Sequence, residues 1–328
     1  MVDMKLPRRK FLHLAAGAAA LPVLPRAAAA LDYPTRPVRL VVGYPAGSGG
    51  DIIGRLMGQW LSDHLGQPFV IDDRPGAGTN IATESVVRAQ PDGYTLLYVT
   101  TANAVNAALY EKLNFNFIRD IAPVARFGSS PLVMEVNLSF PAKTVPEFIA
   151  YAKANPGKIT MASAGNGTTP HMAGELFKMM TGVNLIHVPY RGAPQAITDL
   201  IGGQVQMMFD IVASSIEHIR AGRLRAIGVT TASRLRVLPD VPAIGEFVPG
   251  YEAISFGGIG APQNTAADIL DKLDREVNAG LADPTMQARL ADFGYIPVSM
   301  QRAEFAKLIA DETDKWAKVV KFAGIRAE

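Results

Sequence analysis

A glycine-rich turn in the first part of the sequence is of the kind that can hold a small anion. It covers residues 43–51 (Gly-Tyr-Pro-Ala-Gly-Ser-Gly-Gly-Asp), between an apolar run and an amphipathic segment. Backbone amides at the start of a helix have no partners within the helix and lie at the positive end of its dipole, so they attract anions. Gly47, Gly49 and Gly50 would let the backbone approach a ligand closely.

A second turn of similar composition covers residues 163–170 (Ser-Ala-Gly-Asn-Gly-Thr-Thr-Pro). Pro170 suits the first position of a helix, and Thr169 suits its N-cap. Two such helix starts, one from each half of the molecule, could face one small anion across a cleft without a buried arginine. Taken singly, either turn could equally be an ordinary tight turn.

Nucleotide and metal sites are not favoured by these turns. The first turn lacks the Gly-Lys-Ser/Thr of a P-loop, and Ile52 breaks the pattern G-x-G-x-x-G. A third turn, residues 72–80, begins with the adjacent acids Asp72 and Asp73, but the sequence offers no further ligand at zinc or EF-hand spacing. Arg74 beside them favours a turn whose charge is neutralised locally. We therefore expect no metal and no cofactor.

Catalysis by a Ser/His/Asp group is the alternative function. His171 and Asp210 would be the base and the orienting acid, and the nucleophile would be one of four serines: Ser48, Ser163, Ser214 and Ser215. The sequence contains no G-x-S-x-G elbow, no H-E-x-x-H motif and no cysteine. These residue types alone are weak evidence for a secreted acyl hydrolase, so we expect a protein that is not an enzyme.

The elements that would position these turns alternate between strand and helix. A first series has strands at 38–43, 69–71 and 94–100 and helices at 52–65 and 81–89. A second series has strands at 132–136, 159–162, 185–188, 205–209 and 224–230 and helices at 145–154, 170–180, 193–201 and 215–221. After a strand at 253–260 only helices are predicted. The alternation predicts an α/β fold with two lobes.

The composition predicts a globular protein whose mature part is slightly acidic. The chain has 328 residues with 48% hydrophobic and 19% charged side chains, which suits two domains. The formal net charge is +2, but residues 1–30 alone carry +4, so residues 31–328 carry −2. No nucleic-acid partner is therefore expected.

Residues 1–30 are predicted to be a cleaved export signal. Arg8 and Arg9 are followed by Lys-Phe-Leu, an Ala-rich apolar stretch at 14–24 and a small-residue cleavage site at 28–30. The paired arginines resemble a twin-arginine signal. A membrane anchor is the weaker alternative, because the apolar stretch is shorter than the roughly 18 residues of a span. We therefore expect a periplasmic protein.

Several short motifs together resemble one family. They are Pro-Ala-Gly-Ser-Gly-Gly-Asp at 45–51, Arg-Pro-Gly-Ala-Gly at 74–78, Pro-Asp-Gly-Tyr-Thr-Leu at 91–96, Pro-Tyr-Arg-Gly at 189–192 and Leu-Pro-Asp-Val-Pro at 238–242. With them, the mature chain is similar over essentially its whole length to the Bug (TctC-type) extracytoplasmic solute-binding proteins of tripartite tricarboxylate transporters.

The resemblance implies a type II periplasmic binding protein fold, in which two α/β lobes are joined by a two-segment hinge. Residues 31–128 with 252–328 would form the first lobe, and residues 129–251 the second. The resemblance also implies a small carboxylate as the ligand and a membrane permease as the partner, and we expect a monomer.

The resemblance further implies which residues form the ligand site. They lie in the two glycine-rich turns and after two of the strands: Tyr44, Ala46, Ser48, Gly49, Gly50, Thr101, Asn103, Ser163, Asn166, Gly167, Thr168, His171 and Asp210. Asp210 could instead cap a helix, and His171 could simply pack. In a pocket, a negative Asp210 would favour an amine or a hydroxyl on the ligand and oppose a third carboxylate. An amino acid, an aromatic acid and a hydroxy dicarboxylate each fit.

Overall fold

Strands and helices alternate along most of the chain. The computed structural model describes residues 32–110 and 112–325, and ten strands lie within these ranges. They are β1 (Val38–Val42), β2 (Phe69–Asp73), β3 (Thr95–Thr100), β4 (Ile121–Asn137), β5 (Ile159–Ser163), β6 (Leu185–Pro189), β7 (Met207–Ile211), β8 (Leu224–Val229), β9 (Ile254–Pro262) and β10 (Ile296–Pro297).

The same ranges contain eleven α-helices. They are α1 (Gly49–Leu65), α2 (Asn80–Val87), α3 (Thr101–Leu109), α4 (Phe117–Asp120), α5 (Val145–Ala154), α6 (Thr169–Thr181), α7 (Ala193–Ile201), α8 (Val212–Arg220), α9 (Ala267–Ala282), α10 (Pro284–Asp292) and α11 (Arg302–Ala323). The predictions of helices at 145–154 and 193–201 are confirmed with their bounds.

A curled mixed sheet joins the two lobes. Its strands follow the order β2-β1-β3-β9-β4-β7-β5-β6, and β8 and β10 also pair with β4. The first lobe contains β1–β3 and β9, the second contains β5–β8, and the 17-residue strand β4 belongs to both. The chain passes between the lobes within β4 and again between β8 and β9. The predicted α/β fold with two lobes is confirmed, and the exact lobe bounds stay a prediction.

Helix α1 shows how the sequence positions the first glycine-rich turn. Its apolar stripe of Ile53, Met57 and Leu61 is fully buried in the core of the first lobe. Gly66 ends the helix in the left-handed conformation, and its N–H bonds to the carbonyl oxygen of Ser62. The turn that connects β1 to α1 lies at the carboxyl end of a parallel strand, where open α/β sheets bind ligands.

The last helix, α11, packs against both lobes. Phe305 and Ile309 lie in an apolar cluster with strands of the first lobe. Further along the helix, Trp316 lies in the core of the second lobe together with Phe177 of α6. The Trp316 side chain is fully buried, and its indole N–H donates to Glu312 at 2.6 Å. The helix therefore holds the lobes together by apolar contacts on both sides.

Some sequence predictions need correction. Helix α6 begins at Thr169, so its N-cap residue is Thr168 and not Thr169. Strand β4 begins at Ile121 and not at 132, because it pairs with β9 before it reaches the second lobe. The prediction that only helices follow residue 260 is wrong, since β10 pairs antiparallel with β4 at Ser129. Helices α3, α4 and α10 escaped prediction because they are short or lack a clear apolar stripe.

The N-terminal segment is not part of this description. The predicted export signal, residues 1–30, lies outside the described residues. Among the helices that are described, none has both the length and the apolar character needed to cross a membrane.

Candidate ligand-binding cavity

A cavity lies where the two lobes meet. It is bounded by the start of α1, the end of β3, the start of α6, the junction of β7 with α8, and the start of β9. The first lobe and the shared strand β4 contribute Tyr44, Ser48, Gly49, Gly50, Tyr98, Thr100, Ser130, Ser255 and Phe256. The second lobe contributes Ala164, Thr169, Pro170, Ala193, Asp210, Ile211 and Ser214. We call this space the interlobe cavity.

The start of α1 places a free hydroxyl in the wall of the interlobe cavity. Ser48 is the N-cap residue of α1, yet its side chain does not cap the helix. Its Oγ is buried and has no hydrogen-bond partner among the described residues. The turn is held by Asp51, whose Oδ2 accepts from the Gly47 N–H at 2.8 Å and whose Oδ1 lies 2.6 Å from Arg55 Nε. The Ser48 hydroxyl is thus available to a ligand at a helix start.

Gly49 brings the two lobes into contact beside the cavity. Its backbone N–H donates to Ser214 Oγ at 2.9 Å. A Cβ atom at position 49 would lie 2.5 Å from Ile211 Cγ2, so only glycine permits this approach. The Gly49 amide is therefore occupied by the other lobe, and it cannot also donate to a ligand while the lobes are in this position.

Two buried acids meet at the cavity wall, where Asp210 lines the cavity and Glu135 lies behind it. Ser215 Oγ lies 2.9 Å from Asp210 Oδ2 and 2.9 Å from Glu135 Oε1. A hydroxyl has one proton, so it can donate to only one of these oxygens, and the second short contact requires a proton on a carboxyl group. Burial, followed by the nearby Asp210, raises the pKa of Glu135 well above its usual range. Burial also raises the pKa of Asp210 to about 7.

The remaining lining of the interlobe cavity is uncharged. Tyr44 Oη lies 3.3 Å from Thr100 Oγ1, and burial raises the Tyr44 pKa to about 12. Burial also raises the pKa of Tyr98. Among the described lining residues there is no Lys, Arg or His, and Asp210 is the one carboxyl group. A carboxylate in this cavity would therefore be held by hydroxyls, amides and helix starts, as the sequence predicted.

A second cavity lies next to the interlobe cavity and shares Tyr44 and Ala164 with it. Its other walls are the second turn, with Asn166 and Thr168, and the third turn at residues 76–79. Arg191 lines its exposed side. This second space connects the glycine-rich turns to the surface.

The predicted site residues fall into three groups. Those that line the interlobe cavity are Tyr44, Ser48, Gly49, Gly50 and Asp210. Those that line the second cavity are Asn166 and Thr168, together with Tyr44. Those that line neither cavity are Ala46, Thr101, Asn103, Ser163, Gly167 and His171. Ala46 is an exposed residue at the tip of its turn.

Thr101 and Asn103 do not line the cleft as the sequence analysis expected, because both are used inside the first lobe. The Thr101 Oγ1 accepts from the Phe256 N–H at 3.2 Å. Asn103 Oδ1 accepts from the Thr100 N–H at 2.7 Å and so closes the capping box of α3. Its Nδ2 donates to Thr83 Oγ1 at 2.8 Å. These contacts hold the end of β3 in place, and Thr100, one residue earlier, is the residue that reaches the cavity.

Ser163, Gly167 and His171 support the second turn from behind. The Gly167 N–H donates to His171 Nδ1 at 3.2 Å. His171 stacks on His187 with ring centroids 3.8 Å apart, and His187 Nε2 lies 2.7 Å from Ser163 Oγ. Burial lowers the pKa of His171 to about 3 and that of His187 to about 4, so both rings are neutral. No role was predicted for His187 from the sequence. The one indication that it could be partly buried was its position on the same strand face as Leu185.

The Ser/His/Asp group of the hydrolase alternative is not assembled. Asp210 bonds to Ser215, and no histidine of the described chain bonds to it. His171 accepts from a backbone amide, and its ring has no hydrogen bond to any of the four candidate serines in the described chain. Nor do three His, Asp or Glu side chains of the described residues come together as metal ligands would.

Several lining residues were not predicted from the sequence. Ser255 and Phe256 come from β9, more than 200 positions after the first turn, and Ser130 comes from β4. No local motif marks them. Only the antiparallel pairing of β4 with β9 brings their side chains to the cavity.

Comparison with known protein families identifies the chain. The model of the tripartite tricarboxylate transporter family receptor, TctC, matches residues 53–325. The chain belongs to the TctC family. This result confirms the resemblance to the TctC-type proteins that the short motifs indicated.

Solved structures similar to this TctC-family chain confirm the periplasmic binding protein fold. Rpa4515 of R. palustris, solved with adipate, is 35% identical, covers 90% of this chain and 99% of its own, and has a TM-score of 0.87. The periplasmic binding protein BugD is 32% identical, covers 90% and 100%, and has a TM-score of 0.86. MatC of Rhodopseudomonas palustris, solved with bound malate, is 30% identical, covers 88% and 100%, and has a TM-score of 0.83.

Proposed function

We propose that this protein is a periplasmic receptor that encloses a small carboxylate between its lobes and delivers it to the permease of a tripartite tricarboxylate transporter. One observation carries the proposal: the interlobe cavity is walled by helix starts and hydroxyls from both lobes. Two similar solved structures support it, since one was solved with adipate and the other with bound malate.

The chemistry of the cavity suits a carboxylate without a buried cation. The free Ser48 hydroxyl stands at the start of α1, and Thr169 stands at the start of α6 on the opposite side. Both helices have their positive dipole ends there, which favours a negative group between them. The mildly acidic net charge of residues 31–328 does not attract an anion, so these local groups must supply the attraction.

Closure of the lobes is the step that captures the ligand. The hydrogen bond from Gly49 to Ser214 forms only when α1 and α8 are adjacent. A ligand that contacts both lobes binds this arrangement more tightly than an open one and so shifts the population toward it. Release to the permease would reverse the same contact.

We propose further that the protein performs no catalysis, that residues 1–30 direct export by the twin-arginine route, and that the mature chain is a monomer. The first point is supported by the hydrogen bonds of the described residues, in which His171 bonds neither to Asp210 nor to a candidate serine. The adjacent Arg8 and Arg9 support the second.

The proposal is tested by thermal unfolding of the mature protein with a panel of mono- and dicarboxylates that includes adipate and malate. A true ligand at 100 times its Kd should stabilise the folded state by about 2.7 kcal/mol through mass action. Adipamide, which has the length of adipate but no charge, is the matched control and should give no shift. Absence of a shift with every carboxylate, combined with hydrolysis of simple esters, would overturn the proposal.

A further inference from the structure

Asp210 is a buried carboxyl group in the wall of the interlobe cavity, and one of its oxygens lacks a partner. Its Oδ2 lies 2.9 Å from Ser215 Oγ. Its Oδ1 is buried and has no hydrogen-bond partner among the described residues. A carboxyl oxygen in this position can meet a ligand as an acceptor when the group is ionised, or as a donor when the oxygen holds a proton.

The Ser215 hydroxyl determines where the protons of the acid pair lie. Its Oγ is 2.9 Å from both Asp210 Oδ2 and Glu135 Oε1, and it has one proton to donate. A proton on Glu135, which is fully buried and does not line the cavity, satisfies both contacts, because Glu135 then donates to Ser215 and Ser215 donates to Asp210. A second proton would therefore be held by Asp210. Burial raises the pKa of Asp210 to about 7, so this second proton exchanges with solvent near neutral pH.

No other group in the described lining of the interlobe cavity can take that role or balance the charge. The other titratable lining residues are Tyr44 and Tyr98, and burial raises the pKa of both, so they stay neutral near pH 7. The lining contains no basic side chain.

The helices that pack around Asp210 do not supply a charge to the cavity either. Their titratable side chains nearest in the chain to the cavity walls do not line it: Asp51 on α1, His171 and Glu175 on α6, Asp199 on α7, and Glu217 and His218 on α8. An anion in the cavity would therefore meet an ionised Asp210 without a cation of the described lining between them.

We propose that the receptor takes up a proton from solvent when it binds an anionic ligand, and that Asp210 holds this proton on Oδ1 and donates it to an oxygen of the ligand. The proposal rests on the proposed function, because it requires an anion in the interlobe cavity. Two negative groups in a buried site repel each other strongly, and a proton between them replaces the repulsion by a charge-assisted hydrogen bond. The proton returns to solvent when the ligand leaves.

Binding should then weaken as pH rises above about 7. The free receptor loses the Asp210 proton near pH 7, whereas a bound anion raises the pKa of Asp210 further in the complex. Between these two pKa values the complex holds a proton that the free receptor has lost, so the affinity falls with rising pH. Well below pH 7 both forms hold the proton, and Asp210 contributes no pH dependence.

The test is isothermal titration of the mature protein with succinate, glutarate, adipate and malate, all of which are ionised between pH 7 and 8.5. Titrations at pH 8 in phosphate and in Tris, whose heats of protonation differ, give the number of protons taken up. The tightest-binding acid should take up about half a proton or more, and its Kd should rise by up to about tenfold per pH unit above pH 7. If it binds with no proton uptake and a constant Kd, the proposal is wrong although the proposed function stands. If none of the four acids binds, both are wrong.

Two variants test the residue itself. Asp210→Asn carries an amide N–H donor in place of the acid proton, so it should take up no proton and should bind the same acid at pH 8.5 at least as tightly as the wild type. Glu135→Gln is the matched control at the neighbouring buried acid, and it should keep the proton uptake because Asp210 still titrates. Uptake that persists in Asp210→Asn would overturn the proposal. If that variant does not fold, the comparison of buffers on the wild type decides by itself.

Discussion

The backbone N–H of Gly49 in the first lobe donates a 2.9 Å hydrogen bond to the Ser214 hydroxyl in the second lobe. Both residues line the interlobe cavity, so the contact that joins the lobes is also part of the ligand's surroundings. The approach leaves no room at position 49, since a Cβ atom there would lie 2.5 Å from Ile211 Cγ2. Closure of the lobes and ligand binding are therefore expected to depend on the same glycine.

Gly49→Ala should weaken ligand binding without unfolding the protein. The added methyl group meets Ile211 only when the lobes are together, and overpacking of this kind costs about 1–3 kcal/mol. Affinity for any carboxylate that stabilises the wild type should fall by roughly tenfold or more, measured by isothermal titration. Gly202→Ala is the control, because its φ of −73° suits alanine and its Cβ would lie 3.4 Å from the nearest atom. Equal affinity in Gly49→Ala and the wild type would remove the contact from the mechanism.

Trp316→Ala should strongly destabilise the folded protein. The side chain is fully buried in the core of the second lobe although it belongs to a helix that also packs on the first. Truncation of a buried tryptophan costs about 3–5 kcal/mol, which urea unfolding would measure. Asp314→Ala, at an exposed position of the same helix, should change the stability little. A loss below about 1 kcal/mol in Trp316→Ala would show that α11 is not part of the core.

Stability should depend on pH through Asp210. Burial raises the Asp210 pKa to about 7 from an ordinary value of 3.8. Between about pH 4 and about pH 7, Asp210 keeps its proton in the folded protein and loses it in the unfolded chain. This group therefore makes the free energy of unfolding fall as pH rises from about 4 to about 7. Above pH 7 its contribution is constant.

Asp210→Asn isolates that contribution. Urea unfolding at pH 5 and pH 8 should show a larger loss of stability toward pH 8 in the wild type than in the variant. The comparison with the variant is needed because other groups titrate in the same range. Identical pH dependence in the two proteins would mean that Asp210 ionises as freely as in the unfolded chain.

The stacked histidines should act in the opposite direction. Burial lowers the pKa of His187 to about 4 and that of His171 to about 3, below their ordinary value of 6.5. As pH falls, the two histidines take up protons in the unfolded chain before they do so in the folded protein. The stabilising contribution of the two neutral rings is therefore present above pH 6.5 and is lost as pH falls toward 4. His187→Gln should reduce the acid sensitivity measured by urea unfolding between pH 7 and 4.5, whereas His64→Gln, at an exposed residue, should not. Equal acid sensitivity in His187→Gln and the wild type would contradict this account of the pair.

The parts of the fold that local signals specify could be predicted from the sequence. Helix α5 begins after Thr144, whose Oγ1 accepts from the Glu147 N–H, and such caps are visible in the sequence. The Glu147 side chain accepts from the Lys143 N–H and not from that of Thr144, so Thr144 and Glu147 form only half of a reciprocal capping box. The first part of β4 could not be predicted, because Pro123, Gly128 and Pro131 interrupt the usual strand pattern and its pairing with β9 is long-range.

The site was predictable to a similar extent. Ser48 and Asp210 lie next to strand ends and helix starts, so position in the pattern pointed to them. Glu135 could not be found in this way: it lies in mid-strand, and it reaches Ser215 only through the pairing of β4 with β7. Thr101 and Asn103 were expected in the cleft because they follow β3, but Asn103 caps α3 and Thr101 accepts from the Phe256 N–H inside the first lobe.

The most direct test of the central claim is a crystal structure of the mature protein with a carboxylate that stabilises it. The account predicts the ligand in the interlobe cavity, with a carboxylate oxygen about 3 Å from Ser48 Oγ and with the Gly49–Ser214 hydrogen bond intact. A ligand bound on the outer surface, with the interlobe cavity holding only water, would contradict it.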